Sequence, residues 1–197
     1  MSTIDFYYDA ASPYTYLAAT QIDDIASRHG RSVVYKPMLL GKVFEATGNR
    51  MPAAVPAKGK YMMGDLQRWA AYYGVPFAFP KVFPVNSKLA QRIGCVLPGE
   101  QVGQWAREIM HSYWVEGHDI GTAEGIRTAT ERMGLDGDAL IAEAEAEPAK
   151  TRLRALTEEA VERGVFGAPT FFVDDAMFWG CDRLGLLEHH LGHARAA

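Results

Sequence analysis

The chain has 197 residues, a formal charge of −4 from 20 Lys+Arg against 24 Asp+Glu, and 48% hydrophobic residues, enough for one domain's core with room for an insertion. Basic and acidic residues are interspersed, which argues against a polyanion-binding surface and so against nucleic acid as a partner. Met1-Ser2-Thr3-Ile4-Asp5 has neither a basic nor an apolar leader, and no apolar run reaches spanning length, so a cytoplasmic protein off the membrane is expected.

Ile4, Phe6 and Tyr8 alternate with Asp5, Tyr7 and Asp9, which predicts a strand over Thr3 to Asp9 with both faces partly covered. Asp9-Ala10-Ala11-Ser12-Pro13-Tyr14 then opens a helix. Pro at the first helical position loses no hydrogen bond, and the Ser12 hydroxyl can accept one from a free N–H behind it. The stripe Tyr14, Ala18, Ile22, Ile25 carries this helix to a cap at Gly30. Ser32 to Leu40 reads as a second strand, with Pro37 placing its end at an edge or bend, and completes a βαβ unit.

Gly41 to Lys60, rich in Gly, Pro and Ala, reads as a long functional loop. Helices follow over Asp65 to Tyr73, Gln101 to Trp114, Thr122 to Met133, Asp138 to Glu147 and Pro148 to Arg163. Thr170 to Val173 and Met177 to Trp179 flank a tight turn and predict a hairpin, and Asp182 is placed to cap a last helix through Leu184, Leu187 and Leu191. The outline is α/β: βαβ, a helical block, then ββα.

The two cysteines, Cys95 and Cys181, belong to no CxxC, so neither a dithiol redox centre nor a metal site is indicated, and Cys95 reads as a buried hydrophobe. The six histidines form no motif with Ser12, and His189-His190 reads as surface. Trp69, Tyr72 and Tyr73 read as core aromatics. Lys58, Lys60, Arg68, Lys81 and Lys88 read as a solvated face that includes candidate partners for a substrate carboxylate.

Several pieces together carry a resemblance: Asp5-Phe6-Tyr7-Tyr8-Asp9 with Ser12-Pro13-Tyr14, Gly48-Asn49, Asp65-Leu66-Gln67-Arg68-Trp69, Val165-Phe166-Gly167-Ala168-Pro169-Thr170, and Trp179-Gly180-Cys181-Asp182-Arg183-Leu184. In this order they resemble the 2-hydroxychromene-2-carboxylate isomerase and kappa-class glutathione transferase family over essentially the full length. The resemblance implies a thioredoxin-like fold of DsbA type with a large helical insertion. Its halves would be 1–40 and 165–197, with the insertion and a substrate-side loop over 41–164. Ser12 stands where a thioredoxin-type enzyme carries its first cysteine, and Pro169 where such enzymes carry a cis-proline.

In that family the position matched by Ser12 sets its hydroxyl against the sulfur of glutathione, with Pro13 and Tyr14 beside it. The positions matched by Asn49, Ala168, Pro169, Cys181 and Asp182 contribute to the rest of the tripeptide, although Cys181 departs from the expected Asn or Ser. Asn86-Ser87-Lys88 resembles the substrate-side segment, which makes Asn86 and Lys88 candidates there. The implied function is glutathione-dependent isomerisation of a small aromatic-derived acid, by a homodimer. The alternatives are a kappa-like transferase or peroxidase, and a thioredoxin-like binding protein without chemistry.

Read from the residues alone, Ser12 is a helix cap, Asn49 a turn residue and Asp182 a cap. The chemistry of a thiol site is nonetheless consistent with Ser12. A free thiol ionises near pH 8.5 and only the thiolate attacks electrophiles. A hydroxyl donating to it contributes about 1.5 to 3 kcal/mol, and one pKa unit is about 1.36 kcal/mol, so a shift of one to two units is available.

Overall fold

The computed structural model of the protein describes residues 3–193. β1 (Thr3–Tyr8) pairs in parallel with β2 (Ser32–Pro37), and antiparallel with β3 (Thr170–Val173), which pairs in turn with β4 (Ala176–Trp179). The sheet order β2-β1-β3-β4 leaves β2 at an edge, where Pro37 ends the strand without breaking a ladder. A two-residue turn joins β3 to β4, with Asp174 at φ +52°, a left-handed conformation that Asp tolerates. This is the thioredoxin-like arrangement that the resemblance implies.

The alternation of β1 sorts the core. Ile4, Phe6 and Tyr8 point to one side, where Phe6 stacks on Phe171 at 4.6 Å and the layer continues into Trp105 and Trp114. Tyr7 points to the other, against Met38, Val43, Val165 and Phe172. Three aromatics in one short strand are therefore all buried, because helices cover both faces.

The first predicted helix is two: α1 (Pro13–Ala19) and α2 (Ile22–Arg28), parted at Thr20 and Gln21, where the Thr20 hydroxyl turns back to Leu17 O at 2.7 Å. The segment expected as a loop over Gly41 to Lys60 is mostly helical. It holds α3 (Leu40–Thr47), a 3-10 turn (Pro52–Ala54) and the start of α4 (Pro56–Tyr73). Gly48, at φ +71°, closes α3, and Gly59 lets α4 pass close to Ala53.

Then come α5 (Lys88–Val96), which the sequence reading left out, α6 (Gly99–Trp114), α7 (Ala123–Arg132), α8 (Gly137–Glu145) and α9 (Glu147–Glu162). Thr122 and Asp136 cap α7 and α8 by accepting from Gly125 N and Ala139 N. A 3-10 turn (Cys181–Arg183) leads into α10 (Leu184–His193). Among the described residues, no helix is long and apolar enough to cross a membrane.

Candidate active site

β1 delivers the chain to a tight turn in which Ser12 N donates to Asp9 O at 3.0 Å. Ser12 is extended (φ −96°, ψ 118°) and caps α1, its Oγ accepting from Thr15 N at 3.3 Å. The same Oγ donates to Ala168 O at 3.4 Å, which joins this turn to the segment before β3. The Ala168–Pro169 bond is cis. Pro169 O accepts from Gly180 N at 2.9 Å, which brings the Cys181–Arg183 turn alongside. The Ser12 hydroxyl and the Gly180 N–H thus bring Ser12, Ala168, Pro169 and the turn that begins at Cys181 into one corner of the fold.

Asn49 follows the left-handed Gly48 and donates from Nδ2 to Phe166 O at 2.7 Å, bracing the same segment. Phe166 packs on Trp179 at 4.8 Å, and a Cβ at Gly167 would stand 2.5 Å from Trp179 Nε1, so any side chain there would have to displace the indole. Pro13 is buried, whereas half-buried Tyr14 donates from its hydroxyl to Asp65 Oδ2 at 3.0 Å on α4. Burial and that carboxylate hold Tyr14 protonated. Asp65 also receives Arg68 at 3.3 Å.

Some sequence expectations are revised. Asp182 does not cap α10 with its side chain; it lies in the 3-10 turn and its carboxylate meets Arg183 at 2.6 Å. Tyr72 is not core but 78% exposed, and Tyr73 spends its hydroxyl on Cys181 O at 2.6 Å. Asn86 and Lys88 are exposed where α5 begins, Asn86 Oδ1 accepting from Lys88 N at 3.2 Å.

Neither protein thiol is available as a nucleophile. Burial pushes the Cys95 thiol up to about 11. Burial, with the Asp182 and Asp65 carboxylates adding to it, pushes Cys181 up to about 12. The histidines have other partners: His29 meets Glu188, His111 and His118 meet Glu116, His189 meets His193 and His190 meets Phe178.

Sequence reading missed the layer beneath Ser12. Asp9 is buried, and its carboxylate accepts from Ala11 N at 3.0 Å, Leu40 N at 2.8 Å and the Ser87 hydroxyl. Gln91 of α5, also buried, accepts from Ala10 N and donates to Tyr8 O and Met38 O. Trp114 Nε1 donates to Ala10 O at 2.8 Å. The signal for Asp9 is an acid that ends an apolar strand directly ahead of a cap; Gln91 has none outside its own helix.

The DSBA-like thioredoxin domain family matches residues 3–192. A 2-hydroxychromene-2-carboxylate isomerase of Sphingobium xenophagum is 38% identical, with 96% of this chain and 97% of that protein covered. The chain belongs to the 2-hydroxychromene-2-carboxylate isomerase family. A solved 2-hydroxychromene-2-carboxylate isomerase superposes with a TM-score of 0.90 at 32% identity, covering 98% of this chain and 95% of that one. Human glutathione S-transferase kappa 1 is a more distant relative, 28% identical with 96% of this chain and 91% of that protein covered.

Proposed function

We propose that the protein is a glutathione-dependent isomerase that interconverts 2-hydroxychromene-2-carboxylate-type and trans-o-hydroxybenzylidenepyruvate-type acids in aromatic degradation. The observation that carries this reading is the exchange of a thiol for a hydroxyl at Ser12 in a chain whose own thiols are held protonated. The reactive sulfur must then be brought in. The corner offers what a thiol tripeptide needs: the Ser12 hydroxyl, the backbone around Pro169, the Asn49 amide and the exposed Asp182 carboxylate.

When bound, glutathione supplies a thiolate that adds to a conjugated carbon, makes the former double bond rotatable, and leaves again unconsumed. Ser12 donates to the sulfur and favours its anion, at the cost of its weak 3.4 Å bond to Ala168 O. The hydroxyl does not act as a nucleophile, since its partners are a backbone N–H and a carbonyl rather than a base. Pro13 and Tyr14 flank the sulfur. The Ala168 and Cys181 backbone pairs with the peptide, and Asp182 receives the γ-glutamyl ammonium. Asn86 and Lys88 face the substrate acid. The reading extends to a cytoplasmic homodimer, for which sedimentation gives the mass.

The test is turnover of a hydroxychromene carboxylate followed by ultraviolet absorbance with and without glutathione. Activity that needs only catalytic glutathione is expected, and full activity in thiol-free buffer overturns the reading. Stoichiometric loss of glutathione would instead make the protein a transferase like its kappa-class relatives.

A further inference from the structure

We propose that Asp9 is a positioning residue that holds the thiol side and the substrate side of the site in register. This rests on the glutathione reading above. The Asp9 Oδ1 accepts from Ala11 N and its backbone O accepts from Ser12 N, so one residue fixes both ends of the turn that presents Ser12. Its Oδ2 accepts from Leu40 N, the first residue of α3, whose far end runs through Gly48 to Asn49 on the Phe166 carbonyl. The third donor, the Ser87 hydroxyl, lies between Asn86 and Lys88. Segments far apart in sequence therefore end on one carboxylate that is 3% exposed.

A carboxylate is a costly way to satisfy neutral donors, since burial disfavours its charged form and pushes its pKa up. What it offers is acceptors on both oxygens at once. An amide of the same shape has one acceptor oxygen and would turn its NH2 group toward the N–H of Ala11 or Leu40. The geometry around Asp9 is thus one that Asn cannot reproduce, which separates a need for position from a need for mere filling.

The experiment compares the full-length wild type, Asp9→Asn and Ser87→Ala, each at a temperature where circular dichroism shows it folded. Calorimetry gives glutathione affinity, thiolate absorbance across pH gives the pKa of the bound thiol, and steady-state kinetics gives kcat and substrate KM. In Asp9→Asn the bound-thiol pKa rises toward that of free glutathione and kcat falls by about tenfold or more, the scale of a misplaced reacting group. In Ser87→Ala the thiol pKa stays at the wild-type value while substrate KM rises by about threefold or more, part of the worth of one hydrogen bond to a charged group.

Wild-type protein that does not bind glutathione overturns the functional reading and this inference with it. Wild-type binding beside an Asp9→Asn variant with unchanged thiol pKa and kcat overturns the inference alone. Should Asp9→Asn not fold, Ser87→Ala decides, and a wild-type KM there also overturns it.

Discussion

β1 serves two polar regions that meet their charges in opposite ways. Toward α9, Asp5 and Tyr7 enter a network of acids and bases: Arg163 reaches Asp5 at 2.6 Å, Lys36 reaches Glu159 at 2.6 Å, and the Tyr7 hydroxyl donates to Glu159 at 2.5 Å. Arg163 also lies over the Phe172 ring at 3.9 Å. At the end of the strand, Asp9, Ala10 and Ser12 are met by backbone groups, a hydroxyl, an amide and an indole. The first region tolerates loss, because each ion has a second partner and water reaches the edge. The second is dry and its bonds converge on a few buried side chains with no spare charged partner, so it fixes geometry instead.

Gln91→Leu should break the comparison hardest. It leaves Met38 O and Ala10 N without their side-chain partner and Tyr8 O with Met38 N alone, and at about 1 to 3 kcal/mol for each of the two buried orphans the loss in a urea melt is about 2 kcal/mol or more. A smaller loss than that of any α9 network variant would reverse the ranking. Ser12→Ala is next: the lost cap on α1 costs about 1 kcal/mol of stability, and the larger effect is on activity. One charge-assisted bond of about 1.5 to 3 kcal/mol corresponds to a drop of about 10- to 150-fold in kcat/KM, with a raised bound-thiol pKa.

Glu159→Gln sharpens the other side. Hydrogen bonds from Lys36 and Tyr7 overcome the opposing effect of burial and hold the Glu159 carboxyl below its ordinary 4.5. Its contribution is therefore complete above about pH 4.5 and lost as pH falls through the folded value. The side chain is 40% exposed, so solvent screening limits the loss at pH 7 to about 1 kcal/mol, and the acid limb of stability against pH should flatten. Arg28→Ala, which removes an exposed bridge to Glu188 at 2.8 Å, should shift the melt by less than about 0.5 kcal/mol.

The sheet was legible because alternation and turn residues are local: β1, β3 and β4 lie close to where Ile4-Phe6-Tyr8 and the Thr170 and Met177 runs place them. The helices from α6 to α9 declare themselves by period and caps such as Thr122 and Asp136. α5 did not, since its buried face includes Gln91 and Gly94, which read as polar and as a breaker. Both are explained only by tertiary partners: Gln91 by the β1 and β2 backbone, Gly94 by the Tyr8 hydroxyl, which a Cβ would approach to 2.6 Å. The loop expected over Gly41 to Lys60 failed for a similar reason, its glycines serving as a helix end at Gly48 and a close crossing at Gly59. Ser12 could be placed from sequence, but the carboxylate beneath it could not, because Leu40 and Ser87 meet Asp9 only in the folded chain.

Gln91, Ser87 and Trp114 all end on residues 8 to 10, where β1 runs into the Ser12 turn. The helices between β2 and β3 therefore act as a keystone rather than an ornament. Removing them to make a smaller catalyst, or moving the Ser12 turn onto another scaffold, would leave buried donors and acceptors of that strand with nothing to bond. Loop and helices form one transferable unit, and protein engineers working with this fold would have to move them together.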